Sequence, residues 1–124
     1  MEHNMFAWIE IPVSDMARAQ KFYEAVFKID IELVNFDGFE MGWFPFDKDA
    51  RGAAGTLVKQ ESYIPSTEGP LVYFFSTDVQ KELDRVEAAG GKIYQEKTQI
   101  SEEHGYMAAF IDSEGNRVAL HSQK

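Results

Sequence analysis

Residues 6–27 read FAWIEIPVSDMARAQKFYEAVF, and a change of period inside this stretch decides the fold. Residues 6–13 are mostly β-branched or aromatic, as a half-buried strand requires, whereas Ala19, Phe22, Tyr23 and Val26 recur at helical spacing. The switch falls at Ser14 and Asp15. Either side chain is able to accept a hydrogen bond from the free N–H groups of a first helical turn, and the charge of Asp15 suits the positive end of a helix dipole. The stretch therefore predicts a strand, a corner and an amphipathic helix ending near Lys28.

The same design returns 63 residues later, where residues 71–91 read LVYFFSTDVQKELDRVEAAGG. A strand over 71–75, a corner at Ser76, Thr77 and Asp78, and a helix with Val79, Leu83 and Val86 on one face repeat the first unit. Gly90 and Gly91 supply its C-terminal cap. Two copies of one unit predict two similar modules sharing a core, with any pocket on the side of the sheets away from the helices.

The segments between follow suit. IDIELVNF (29–36) alternates as a strand, Asp37-Gly38 is a tight hairpin turn, and FEMGWFPF (39–46) is its partner, with Phe39, Met41 and Trp43 on one face and pairing limited by Pro45. A charged loop leads to AAGTLVK (53–59), a strand poor in bulk, and residues 60–70 have the turn chemistry of a linker. KIYQEKTQI (92–100), the loop SEEHG, YMAAFID (106–112), a turn at 113–116 and RVALH (117–121) complete a second set of strands. The order is β-α-β-β-β twice: an α+β single domain over 1–124, with module one at about 5–59 and module two at about 71–122.

At 124 residues the chain is long enough for one core that hides about two thirds of its unfolded surface. No apolar run is long enough to span a bilayer and Met1-Glu2-His3-Asn4 has no signal-peptide character, so the expected setting is cytoplasmic, without a membrane partner. The absence of cysteine excludes disulfides, thiolate metal sites and cysteine nucleophiles. A net charge of −9 without a basic stripe argues against a nucleic-acid partner.

IPVSDMARAQKFYEAVF, STDVQKELDRVEAAGGK and GYMAAFIDSEGNRVALHS together resemble the vicinal oxygen chelate superfamily of glyoxalase I, bleomycin-resistance proteins and extradiol dioxygenases. The resemblance covers almost the whole chain. It implies paired βαβββ modules whose curved sheets enclose a cavity, a homodimer in which modules pair across chains, and, in the enzymes, a divalent metal in that cavity. The family's first-strand ligand, seven residues before the corner aspartate, maps to Trp8, its counterpart in the second module to Leu71, and the final-strand ligand to Ala119. Residues 51–58 offer no His, Glu, Asp or Gln for the remaining one. Indole, isobutyl and methyl groups hold no ion, so the expectation is no metal cofactor.

Of the polar residues left, Glu10 shares a strand face with Trp8, where a carboxylate would act as a general base or hold a polar ligand, or else form a structural ion pair with an arginine or sit at the cavity mouth in water. His121 shares a face with Ala119 and would exchange a proton near neutral pH, or be solvated near the C-terminus. His104 follows Glu102 and Glu103 in a loop, where a solvated reading outweighs a metal cluster, and His3 lies at the terminus. Trp8, Phe39, Met41, Trp43, Tyr73 and Phe75 either line an apolar pocket or pack as core. The expected function is a metal-free protein binding a small apolar or aromatic molecule in a cavity bounded by Trp8, Glu10, Trp43, Tyr73 and His121. The alternatives are a lyase, isomerase or dioxygenase of the superfamily, using Glu10 and His121 as catalytic acid and base or holding a metal through unconventional ligands, and a non-catalytic structural or interaction module.

Overall fold

The computed structural model describes residues 2–124. The chain runs β1 (Trp8–Pro12), α1 (Met16–Phe27), β2 (Glu32–Phe36), β3 (Phe39–Trp43) and β4 (Ala54–Lys59), then β5 (Val72–Phe75), α2 (Val79–Ala89), β6 (Lys92–Ser101), β7 (Gly105–Ile111) and β8 (Arg117–Ser122). The strands form two four-stranded sheets ordered β1-β4-β3-β2 and β5-β8-β7-β6. In each, the first strand pairs parallel with the last and the other pairs are antiparallel. The two βαβββ modules are thus repeats in topology as well as in sequence.

Both corners start helices as the sequence predicts. Asp15 is extended and accepts the N–H of Arg18 at 3.0 Å, and Asp78 does the same for Gln80. At the far ends Lys28 and Gly90 adopt the left-handed conformation that lets the last carbonyls find N–H donors. Asp37 and Gly38 both have positive φ, as a tight two-residue turn between twisted strands demands.

Several strands are shorter than their sequence signals. β1 excludes Phe6, Ala7 and Val13, β2 starts at Glu32, and β3 stops at Trp43, two residues before Pro45, which has no N–H for a ladder. Phe44 leaves the sheet and instead packs edge-on against Tyr23 at 5.5 Å.

The helices lie in one core shared by both modules, built from Ile11, Met16, Ala19, Phe22, Val26 and Leu57 on one side and Val79, Leu83, Val86, Phe110 and Leu120 on the other. α1 packs on α2, α1 on β3 and β4, and α2 on β6, β7 and β8. Gly42 is buried here: a Cβ would come within 3.0 Å of Ile31 and 3.2 Å of the Met16 sulfur, so glycine permits the close approach of strand to helix. The core aromatics are Phe22, Tyr23 and Phe110, with Phe27, Phe44 and Phe74 packed against them. Tyr73 and Phe75, which alternate with Phe74, point the other way and are exposed.

Module two is clamped onto the first corner by its β7–β8 turn. Glu114 accepts the N–H groups of Ser14 and Asp15 through Oε1 (2.9 and 2.8 Å) and the Arg18 guanidinium through both oxygens. Asn116 donates to the Pro12 carbonyl at 2.7 Å, and the Tyr23 hydroxyl reaches across to Asp112 at 2.6 Å. The linker is docked as well, Ser66 N–H donating to Asn116 Oδ1. Among the described residues no helix is long and apolar enough to cross a membrane.

Candidate functional site

Strand register places one row of side chains across the outer face of the first sheet, turned away from the helices. Glu10 of β1 is level with Thr56 of β4, Thr56 with Trp43 of β3, and Trp43 with Glu32 of β2. One step along, Trp8 meets Trp43 edge to face, with ring centroids 5.1 Å apart and planes at 68°. Trp8 is 39% exposed, while Thr56 is fully buried. The Trp43 Nε1 and Thr56 Oγ1 atoms are both shielded from water without a hydrogen-bond partner. Buried polar atoms without a partner are rare, and a ligand would reach these two only after the side chains that cover them move.

The linker crosses this face. The Tyr63 hydroxyl donates to Glu10 Oε1 at 3.0 Å, and that hydrogen bond, followed by the carboxylate's charge, raises the phenol above its ordinary pKa. Glu10 is therefore exposed and held by a phenol; no arginine pairs with it among the described residues.

The structure brings together some of the five site residues expected from sequence. Trp8, Glu10 and Tyr73 share a hollow of about 570 Å³ between the edges of β1 and β5, floored by Leu71 and Val118 and flanked by Arg117. Trp43 supports it from behind through Trp8. His121 lies elsewhere, in a shallower hollow with Tyr73, Phe75 and Ile100. Its strand end is not frayed: His121 is in register with Phe75 and Met107 and half-buried. A carbonyl only accepts, so His121 donates Nε2–H to the His104 carbonyl at 2.6 Å. Glu10 and His121 do not line one hollow within the chain. Thr56, Tyr63 and Arg117 were not singled out from sequence: the first needs strand register to be placed, the second sits in a linker, and the third looks like an ordinary exposed base at a strand start.

The positions at which the superfamily's metal ligands map offer no fit for a divalent ion. Trp8 presents indole, Leu71 and Ala119 hydrocarbon, and the outward residues of β4 are Ala54, Thr56 and Val58. A lone threonine hydroxyl is a poor donor set for a borderline or hard cation. Among the described residues no three His, Asp or Glu side chains converge.

Residues 5–120 match the sequence model described as the Glyoxalase/Bleomycin resistance protein/Dioxygenase superfamily. The chain belongs to that superfamily, the vicinal oxygen chelate group. Among solved structures it is similar to the fosfomycin resistance protein FosX of Listeria monocytogenes (15% identity, TM-score 0.72, covering 100% of this chain and 94% of that one). It is also similar to a glyoxalase/bleomycin resistance protein of Albidiferax ferrireducens (18%, TM-score 0.69, 98% and 100%). Glyoxalase I of Zea mays matches at 19% identity and a TM-score of 0.71 over 94% of this chain, which spans only 45% of the maize protein. At these identities the likeness is one of fold. No curated protein sequence matches the chain.

Proposed function

We propose that this chain is a small-molecule binding protein that uses the superfamily scaffold without a divalent metal, holding an aromatic or apolar ligand on the outer face of its first sheet. The observation that carries the reading is the Trp8–Trp43 pair standing beside the exposed Glu10 carboxylate where the resemblance maps a metal ligand. Indole faces supply sequence-tolerant stacking area, and a few polar atoms orient what stacks there. A homodimer fits the same reading, since Tyr73, Phe75 and Tyr94 leave large apolar surfaces exposed in the single chain.

Both tryptophans of the chain lie on this face, so intrinsic fluorescence reports the site directly. In a screen of aromatic compounds, at least one is expected to shift tryptophan emission and raise the melting temperature. Trp8→Ala should then weaken that compound by roughly tenfold or more, the loss expected for a well-packed aromatic contact. If no compound moves either signal, the binding reading fails.

A further inference from the structure

A larger hollow, about 710 Å³, lies on the other side of the β1–β5 seam. Phe27, Phe44 and Phe74 wall it, their rings in mutual contact (Phe27–Phe74 4.7 Å, Phe44–Phe74 5.6 Å), together with Ile9, Ile11 and Ile29. Its charged groups are Glu82, which is only 5% exposed, and the cations Lys81 and Arg51 at the lip. Glu82 accepts the Ser76 hydroxyl and lies 3.6 Å from the Lys81 ammonium. The Arg51 guanidinium rests over the Phe75 ring at 5.7 Å and has no carboxylate partner among the described residues.

Comparison of the two repeats explains why this hollow is open. Counting from Asp15 to Asp78, Lys81 stands in the place of Arg18, Glu82 in that of Ala19, and Ser76 in that of Val13. At the first corner, Arg18 and two backbone N–H groups receive the carboxylate of Glu114 from the opposite module, and the gap is plugged. The corresponding loop of module one, residues 44–53, brings Arg51 and Gly52 against Phe75 instead. The second corner thus receives no incoming carboxylate: its Asp78 and Val79 N–H groups donate to the Ser76 and Ser122 hydroxyls, Lys81 donates to Thr77 Oγ1, and it carries a buried acid where the first has the single methyl of Ala19.

We infer that this cleft is a second binding site, separate from the Trp8–Glu10 face, for a small zwitterion with an apolar body, of the type of a free α-amino acid with a large hydrophobic side chain. Its ammonium pairs with Glu82, its carboxylate takes the place beside Lys81 and Arg51 that Glu114 takes beside Arg18, and its side chain lies among Phe27, Phe44 and Phe74. Glu82 already accepts from Ser76 and faces Lys81, so a ligand ammonium would share that carboxylate with Lys81, while a singly charged amine would meet two cations at the lip and a plain anion would meet Glu82 and a chain of net charge −9.

Calorimetric titration of the intact protein with phenylalanine, 2-phenylethylamine and 3-phenylpropanoate tests this, since the three share one ring and differ in charge. Phenylalanine is expected to bind roughly tenfold tighter than either analogue, the value of one charge-assisted contact, and to shift the ring resonances of Phe27, Phe44 and Phe74. Tryptophan emission should stay unchanged, which separates the outcome from success or failure at the Trp8 face. Glu82→Gln should remove the preference for phenylalanine over 3-phenylpropanoate, and Lys81→Met the preference over the amine. Absence of binding by all three, equal binding by all three, or resonance shifts confined to residues outside the cleft would overturn the inference; the last two are read on the unmodified chain, so they stand even where Glu82→Gln fails to fold.

Discussion

Asp112→Ala is expected to lower stability by about 4 kcal/mol, a large share of the roughly 5–15 kcal/mol that holds a domain together. Asp112 is 3% exposed and its carboxylate accepts four hydrogen bonds: from the Tyr23 hydroxyl (2.6 Å), the Glu114 and Asn116 N–H groups (2.8 and 2.9 Å) and Asn116 Nδ2 (3.0 Å). Truncation leaves these donors facing a cavity, each costing about 1–3 kcal/mol before water recovers part of it. Tyr23 shows how closely the group is engaged: burial first, then the charge and hydrogen bond of Asp112, push its phenol well above the ordinary tyrosine range. Tyr23→Phe removes one of the four bonds and should cost about 1–2 kcal/mol. Urea unfolding followed by circular dichroism measures both. A loss below 1 kcal/mol for Asp112→Ala would show that the turn does not fasten the modules.

The second large effect concerns Glu114 and appears as a dependence on pH. Burial pushes its carboxyl upward, but the Arg18 guanidinium, the Asp15 and Ser14 N–H groups and the Ser113 hydroxyl outweigh that and hold it below the ordinary glutamate range. The folded chain therefore binds this proton less readily than the unfolded chain. The stabilisation is fully present above the unfolded value of about 4.3, and it is lost as pH falls through that value and on through the lower folded one. Glu114→Gln should cost about 2 kcal/mol at pH 7, from weakened contacts to a guanidinium and two helix N-terminal donors, and should flatten the fall in melting temperature between about pH 5 and pH 3. Some acid dependence remains in the variant, because Asp78 is also held low, chiefly by its hydrogen bond from Lys97. An acid limb identical in the two proteins would contradict the assignment.

The reach of Asp112 and Glu114 into the opposite module is not written in the local sequence. The corners at Asp15 and Asp78, the turn at Asp37-Gly38 and the cap at Gly90 were legible because each is decided within a few residues by backbone donors, acceptors and left-handed geometry. The segment Ser113–Asn116 looked like an ordinary turn, and locally it is one, with Asp112 accepting from the N–H of Glu114. Its importance comes from partners about 100 residues away, at Ser14 and Pro12, which no local pattern announces. The sharing of one face by Trp8, Glu10 and Trp43 followed from alternation and from the resemblance. That Thr56 joins them required the parallel register of β1 on β4, and the separation of His121 required the arrangement of the two sheets. Glu82 is not legible in the sequence because it sits on the buried stripe of α2, where periodicity counts only apolar residues.

Metal stoichiometry tests most directly the proposal that organic molecules, and no divalent ion, occupy the face of Trp8 and Glu10. Protein purified without chelator would be analysed for bound metal and then titrated with Zn, Ni, Mn and Fe(II) while melting temperature is followed. The expected result is metal well below one equivalent per chain and a melting temperature indifferent to each ion, with tryptophan emission still responsive to aromatic compounds. One equivalent of tightly retained divalent cation that stabilises the fold would contradict it.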